Sequence, residues 1–255
     1  MSDASGAAPV DVAAGSRTWV LRLPEGDFIR REIVRTGGPY EHGLLQFLEP
    51  LVKAGDVVVD VGANVGNHTS FFAAVCGATV EAFEPNPEAL EHLRWGLERN
   101  GLSDLVRVHE LALGESATTG SIAEAAGANL GGAAVEQGAG DIEIVPLDQL
   151  GFDSIALMKI DVEGAEPGVL RGGLDTIART RPYIVAEAQT VEARTRIDEV
   201  LFPLGYRRLG RDLSPTDTPT FLYAGSRAAL VRAVAGNVPR AARNRWAKLR
   251  RMLRA

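Results

Sequence analysis

Cysteine is almost absent from this sequence: Cys76 stands alone among 255 residues, so the chain forms neither an internal disulfide nor a cluster of thiolates around a metal. Cys76 lies within an apolar run, which favours a buried small side chain over a reactive thiol. Histidine is also scarce, and the four imidazoles are too scattered along the chain to suggest a metal site. We therefore predict a protein without a bound metal.

Long apolar runs are missing as well. No stretch reaches the roughly 18 apolar residues of a membrane-spanning helix. Residues 1–16 have no basic start and no apolar segment of signal-peptide length. We expect these residues to form a mobile N-terminal tail and the protein to be cytoplasmic.

Acidic side chains are absent from residues 226–255, which carry eight Arg and one Lys. The rest of the chain holds 18 basic and 33 acidic residues, and a body this acidic is a poor general binder of nucleic acid. Residues 239–255 have an apolar stripe at helical spacing, made of Trp246, Leu249 and Leu253. We expect a basic amphipathic helix that packs on the protein's own body, docks on a partner protein or lies peripherally on an anionic membrane.

The body itself, residues 17–225, alternates short β-branched runs with helical patterns, as one α/β domain does. The run VVVDV at residues 57–61 lacks the polar alternation of a half-solvated strand, which indicates a strand covered on both faces. The predicted strands are Val57–Val61, Thr79–Phe83, Val106–Leu111, Ile155–Ile160, Tyr183–Ala186, Tyr206–Leu209 and Phe221–Ala224. The predicted helices are Thr69–Val75, Pro87–Arg99, Pro167–Thr180 and Val191–Leu204. This order predicts a mostly parallel seven-stranded sheet with helices on both faces and an antiparallel edge hairpin.

Two segments depart from the alternation. The lead-in, residues 17–52, has patterns for strands at Thr18–Leu23 and Phe28–Arg35 and for a helix around Gly43–Val52. Residues 114–140 are rich in Gly, Ala and Ser and too long for a simple connection, which is typical of functional loops. We expect this loop to cover the mouth of the acceptor site.

A glycine turn, GANVG at residues 62–66, ends the first strand of the alternation. Glycine allows a ligand to approach the backbone, and the following helix offers free N–H groups. Glu84 ends the next strand, where a carboxylate accepts the hydroxyls of a ribose. The turn lacks the middle glycine of a dinucleotide motif, and Asp60 just before it would repel a pyrophosphate but suits a cation. These features predict S-adenosylmethionine as the ligand.

The motifs DVGANVGNHT, FEPNP, MKIDVEGAE and RPYIVAE, with the lead-in YEHGLLQFL, closely resemble the FkbM family of S-adenosylmethionine-dependent methyltransferases over residues 40–224. The resemblance implies a Rossmann-like class I methyltransferase fold. It also implies methylation of a hydroxyl oxygen on a sugar, a glycan or a polyketide-type natural product, so the expected partner is a hydroxylated small molecule or glycan. The cofactor-binding residues it implies, together with those that close over the ligand, are Tyr40, Glu41, Asp60, Gly62, Ala63, Asn64, Gly66, Glu84, Pro85, Asn86 and Asp161.

Acidic residues after the fourth strand supply the candidate bases. Asp161 and Glu163 are separated by one residue, so their side chains point the same way in extended backbone. A hydroxyl is a weak nucleophile, and a positioned carboxylate removes its proton as the oxygen attacks. Asp161 is the first candidate, followed by Glu163 and then by Glu187. His68, at the start of the helix after the turn, is a fourth candidate.

Other interpretations stay open at this stage. Glu163 also suits a capping role, and His68 also suits a bond to loop backbone. An RNA-modifying methyltransferase would use the basic tail to hold its substrate, and a non-catalytic binding module would use the same fold without chemistry. The turn for amino-group methylation, Asn/Asp-Pro-Pro-aromatic, is not present at residues 161–164, which favours oxygen acceptors.

Overall fold

The structure is a computed structural model that describes residues 7–123, 134–210, 212–213 and 219–236. The strands are β1 (Ala7–Ala14), β2 (Arg17–Pro24), β3 (Val57–Val61), β4 (Thr79–Phe83), β5 (Val106–His109), β6 (Ala112–Leu113), β7 (Thr118–Ile122), β8 (Val135–Gln137), β9 (Ile142–Val145), β10 (Leu157–Ile160), β11 (Tyr183–Glu187), β12 (Arg207–Arg208) and β13 (Thr220–Ala224). The helices are α1 (Phe28–Thr36), α2 (His42–Leu48), α3 (Asn67–Ala74), α4 (Pro87–Arg99), α5 (Glu166–Arg171), α6 (Leu174–Thr180), α7 (Val191–Leu201) and α8 (Arg227–Gly236). Short 3₁₀ turns cover Glu49–Leu51 and Leu147–Leu150.

The main sheet has seven strands in the order β12-β13-β11-β10-β3-β4-β5. Strands β5, β4, β3, β10 and β11 run parallel, whereas β13 is antiparallel to both β11 and β12. Neighbouring residues of each strand alternate between two hydrophobic cores: Val58 faces one and Val59 the other. The predicted α/β fold with an antiparallel edge hairpin is confirmed. Strands β4 and β10 lie on opposite sides of β3, so the strand order reverses there, and a sheet of this kind binds ligands in the crevice at the carboxyl ends of the strands beside the reversal, here β3 and β10.

The N-terminal segment differs from the expected mobile tail. Residues 7–14 pair antiparallel with β2 along their whole length, from Ala7 opposite Pro24 to Ala14 opposite Arg17. Their inward residues are small, so their own hydrophobicity is weak, but Trp19, Leu21 and Leu23 of β2 are buried in the core. The strand depends on this pairing, and the prediction of a mobile tail is wrong for the residues of β1. Residues 1–6 lie outside the described residues.

A helix, α1, replaces the strand predicted at Phe28–Arg35. Asp27 caps its start, because the carboxylate accepts the Arg30 N–H at 3.0 Å. Gly37 ends it in the left-handed conformation and donates its N–H to the Ile33 carbonyl at 2.7 Å. The two caps outweigh the local alternation that had suggested a strand.

The segment at residues 114–140 is also more ordered than a loop. Its strands β7 and β8 join β6 and β9 in a four-stranded sheet with the order β6-β9-β7-β8. Gly120 allows β8 to pack closely on β7, since a Cβ at this position would lie 2.5 Å from the Glu136 carbonyl oxygen. The expectation of an irregular loop is wrong for these strands. Residues 124–133, which include the expected mouth residues 129–132, lie outside the described residues.

Two further elements differ from the prediction. The helix expected at Pro167–Thr180 is divided into α5 and α6 at Gly172 and Gly173, and Gly172 packs so closely that a Cβ there would lie 1.9 Å from the Gly114 carbonyl oxygen. The basic C-terminal segment begins as α8, which buries Ala233. Residues 237–255, with the predicted apolar stripe, are outside the described part. Within the described part, no helix combines the length and apolarity that crossing a membrane requires.

Candidate active site

The glycine turn after β3 is locked between two neighbouring strands. The N–H groups of Gly62 and Ala63 both bond to the Phe83 carbonyl at 3.0 Å. Gly62 and Gly66 have φ angles of 79° and 86°, and Asn64 has a φ of 49°. A Cβ on Gly62 would lie 1.9 Å from the Asp161 carbonyl oxygen. The turn therefore requires glycine at residue 62, both for its backbone angle and for the close approach of the β10 exit.

Glu84 spans the turn from the end of β4. One carboxylate oxygen accepts the Asn64 N–H at 2.7 Å and the other accepts the Asn86 N–H at 2.8 Å. Burial raises the pKa of Glu84, and these two hydrogen bonds oppose that rise. A carboxylate has about four acceptor positions, so each oxygen keeps a lone pair for a ligand hydroxyl. Asn86 also caps α4 by accepting the Glu88 N–H, and Pro85 joins the two acceptor residues.

A buried ammonium group connects the turn with the second motif. Lys159 Nζ donates to the Gly62 carbonyl at 2.7 Å and lies 3.2 Å from Asp60 Oδ1 and 3.7 Å from Asp161 Oδ2. Burial alone would lower the pKa of Lys159, but the Asp60 and Asp161 carboxylates hold it above its ordinary value. Asp60 is fully buried and also accepts the Thr69 hydroxyl at 2.6 Å. The lysine thus stays charged and holds the turn, β3 and β10 together.

The lead-in is attached to the same turn. The Asn67 side chain accepts the Tyr40 N–H and donates to the Tyr40 carbonyl, both at 3.0 Å. This places Glu41, in a left-handed conformation with φ 56°, against α3. Glu41 Oε2 lies 3.3 Å from His68 Nε2, and both side chains are 8% exposed. The imidazole therefore faces a carboxylate, and the predicted residues Tyr40, Glu41 and His68 meet at the turn.

Three carboxylates converge at the ends of β10 and β11, and we call Asp161, Glu163 and Glu187 the carboxylate trio. Oxygens of the three groups lie within 4.8 Å of one another. Glu163 has a φ of 54° and accepts a hydrogen bond from the Gln189 side chain. Burial and the Asp161 charge raise the pKa of Glu163. The strained backbone at Glu163 is a feature that often marks functional positions.

The trio also bears on the metal prediction. Its oxygens are close enough to share a divalent cation, but exposed acidic groups are common without one. Lys159 already supplies a positive charge to Asp161. The absence of a metal therefore stays a prediction.

Two residues of the site show where sequence reasoning was incomplete. Glu166, in the first turn of α5, accepts the N–H groups of Val162 and Gly164 at 3.2 and 3.1 Å and so stabilises the loop after β10. Asn67 was missed as a site residue. Its signal was an amide directly after the last glycine of the turn, where a side chain reaches a neighbouring loop.

The comparisons with known proteins now decide the family. The family model described as the methyltransferase FkbM domain matches residues 60–208, which is more than half of the chain. This chain belongs to the FkbM methyltransferase family. Its methyltransferase domain is therefore of the kind that uses S-adenosylmethionine as methyl donor, as the sequence predicted.

Solved structures agree with this fold. An FkbM methyltransferase from Methylobacillus flagellatus KT is similar with a TM-score of 0.50 and 21% identity, over 67% of this chain and 43% of that chain. A protein from Pyrococcus horikoshii described as a transferase has a TM-score of 0.52 and 14% identity, over 86% of this chain and 71% of that one. At these identities the likeness shows the fold alone.

One curated relative is a tRNA wybutosine-synthesizing protein 2 homolog from Rattus norvegicus. It is 34% identical over 108 residues, which are 37% of this FkbM chain and 25% of the rat protein. The chain thus spans about a quarter of that relative.

The residues at the crevice fit the methyl donor. Asn64 Oδ1 is buried with no hydrogen-bond partner among the described residues, so the turn presents an unused acceptor to a ligand. Glu84 keeps free acceptor positions beside it. The acids Glu41, Asp60 and Asp161 surround one lysine, which leaves a net negative site suited to a cationic ligand.

Proposed function

We propose that this FkbM methyltransferase methylates a hydroxyl oxygen of a sugar, a glycan or a polyketide-type natural product. The observation that carries the proposal is the carboxylate trio at the crevice, because attack by a hydroxyl requires a group that accepts its proton. S-adenosylmethionine supplies the methyl group on a positively charged sulfur. The protein has to position the acceptor oxygen and remove its proton.

The cofactor-side residues receive their roles from the contacts above. Glu84 would accept hydrogen bonds from the ribose hydroxyls. The Asn64 Oδ1 atom, which has no partner among the described residues, would accept a hydrogen bond from the cofactor. Glu41, held by His68, would face the positive charge of the amino-acid portion. The remaining residues that would line this side are Tyr40, Asp60, Gly62, Ala63, Gly66, Pro85 and Asn86.

Within the trio, we assign the base to Glu163 and a positioning role to Asp161. Lys159 lies 3.7 Å from Asp161, so this carboxylate already has a cationic partner. Burial and the neighbouring Asp161 charge raise the pKa of Glu163, so the Glu163 carboxylate takes up a proton more readily than an ordinary one. Asp161 would then accept a hydrogen bond from the acceptor hydroxyl and hold it in place.

The test is a methyl-transfer screen with labelled cofactor against hydroxylated sugars, glycans and polyketides. Glu163→Gln should lower turnover by about 100-fold or more and leave cofactor affinity within a few-fold. Glu192→Gln, on the exposed start of α7, is the matched control and should change neither. Label found only on nitrogen or carbon atoms, or full turnover in Glu163→Gln, would contradict the proposal.

RNA modification is the second candidate, because the rat relative is named for tRNA wybutosine synthesis. The acidic body opposes it, since binding to phosphates depends on positive charge. Adding unmodified tRNA to the same screen separates the two functions. Transfer to tRNA with a steep loss of activity as salt increases would favour this candidate over a small acceptor.

A further inference from the structure

A cavity of about 480 Å³ begins at Gly164, the residue after Glu163, and its lining includes none of the cofactor-side residues. It opens between the four-stranded sheet and the helices α5 and α7. Leu113, Val135 and Ile144 form its apolar side, and Gly164 and Ala165 form the side next to Glu163. Its volume is within the range of about 300–1,000 Å³ that small-molecule sites occupy. A molecule that fills this cavity would therefore reach the backbone of the loop that carries the proposed base.

The polar groups of this cavity are mostly hydrogen-bond donors. Arg171 on α5 and Arg196 on α7 reach it from two different helices, and Ser116 and Gln137 add a hydroxyl and an amide. Glu115 is the acidic residue of the lining, and it accepts Arg171 Nε at 2.7 Å. Arg196 makes no ion pair within the described part of the chain. One guanidinium group is thus uncompensated, which leaves the cavity positive.

The cavity is positively charged, whereas the carboxylate trio is negatively charged. An anionic group would be repelled by Asp161 and Glu163 and attracted by the two arginines, whose planar donors bind phosphate and carboxylate oxygens in pairs. A molecule with an anionic group at one end and a hydroxyl at the other would be oriented by both effects. Its hydroxyl would then face the trio, where the proton is removed.

We propose that this cavity binds an anionic group of the acceptor, so that the substrate is a hydroxylated compound carrying a phosphate or a carboxylate. The hydroxyl end of this statement rests on the proposed function, whereas the anion site rests on the cavity and its arginines alone. The acidic body repels anions at long range, so recognition has to come from these local donors.

Inorganic phosphate and acetate are the probes, and the arginine Nε–H signals in NMR titrations are the readout. The intact protein should bind at least one of the two anions saturably, and the tighter one identifies the anionic group. Arg196→Gln should weaken that binding by about tenfold, the effect of losing a charge-assisted contact. Arg99→Gln, an exposed arginine of α4 outside the cavity lining, should leave it unchanged.

A second variant distinguishes a loss of anion binding from misfolding of the protein. Glu115→Gln removes the competitor of Arg171, so it should tighten anion binding rather than weaken it. Absence of saturable binding in the intact protein, or equal loss in Arg196→Gln and Arg99→Gln, would overturn the anion site. Methyl transfer to phosphate- or carboxylate-bearing acceptors that is no faster than to neutral ones and is insensitive to Arg196→Gln would overturn it while the proposed function stands. Anion binding without any oxygen methylation would overturn the proposed function alone.

Discussion

The Lys159 ammonium group is the residue on which the site depends most, because it is the charge that compensates the fully buried Asp60. Replacing it by methionine keeps the volume and leaves that carboxylate uncompensated. We expect Lys159→Met to lower the free energy of unfolding by about 3–5 kcal/mol, measured by urea denaturation. Lys53→Met, at an exposed lysine, is the control.

A double variant tests the reason given for this loss. Asp60→Asn removes the uncompensated charge, so the pair Asp60→Asn/Lys159→Met should recover part of the stability. A Lys159→Met protein as stable as the parent would show that the ammonium group contributes nothing to holding β3, the turn and β10.

The pH dependence of the reaction distinguishes the two leading carboxylates. Glu163 has a pKa raised above the ordinary 4.5, so kcat/KM should increase with pH through that raised value as the base loses its proton. Part of the rise comes from the negative charge of Asp161. Asp161→Asn removes that charge, so the pKa of Glu163 should fall and the acidic limb should move to lower pH. A variant without activity at any pH would instead make Asp161 the base.

Some residues of the site could be predicted from the sequence near them, and others could not. Asp60, Gly62 and Glu84 could be predicted because their positions on consecutive strands determine where they meet. The two bonds between Asn67 and Tyr40 could not, since they join residues whose contact exists only after the lead-in has folded onto α3. The assignment of cofactor and acceptor roles to these residues stays a prediction.

At the scale of elements, the glycine turn gives a direct test of close packing. A Cβ at Gly62 would overlap the Asp161 carbonyl oxygen at 1.9 Å, and the positive φ adds backbone strain. We expect Gly62→Ala to lower the free energy of unfolding by more than about 2 kcal/mol. Gly43 in α2 has open space around its Cβ, so Gly43→Ala should instead stabilise by about 0.5–1 kcal/mol. Equal changes in thermal denaturation midpoints would contradict this account.

The elements that could be predicted are those whose pattern is complete within a few residues. The run at Val57–Val61 and the helix at Pro87–Arg99 have the predicted bounds, because burial on both faces and a proline start are local signals. By contrast, β1 depends on β2, and β7 depends on β9 across more than twenty residues. The sequence placed Gly120 in a loop, but its lack of a side chain allows the neighbouring strand to pack against it.

At the scale of the whole molecule, the basic tail is the part whose function the fold does not explain. Helix α8 ends the described body at Gly236, so removal of residues 237–255 leaves that helix in place. If the tail docks on a membrane, which is one of the three arrangements that its sequence allows, the intact chain should bind anionic vesicles in a salt-sensitive way and the truncated chain should not. Turnover on a soluble acceptor should not change. Neutral vesicles serve as the control in a sedimentation assay.

The opposite outcome is equally informative. A truncated chain with a lower melting temperature, from a parent that never binds vesicles, would place the tail on the protein's own acidic body. The predicted peripheral membrane docking and the predicted protein docking would both be wrong in that case.

The attachment of the lead-in to α3 affects how fast the spent cofactor can leave the site. The neutral side chain of Asn67 supplies two of the contacts that join Tyr40 and Glu41 to the start of α3, beside the Glu41–His68 contact, whereas the hairpin of β1 and β2 before them is packed into the core. Neutral hydrogen bonds are worth about 0.5–1.5 kcal/mol each, so this connection breaks far more often than the domain unfolds. If Tyr40 and Glu41 close over the cofactor as predicted, these contacts have to open before the spent cofactor leaves, so loss of the Asn67–Tyr40 pair should shorten the residence time of that product.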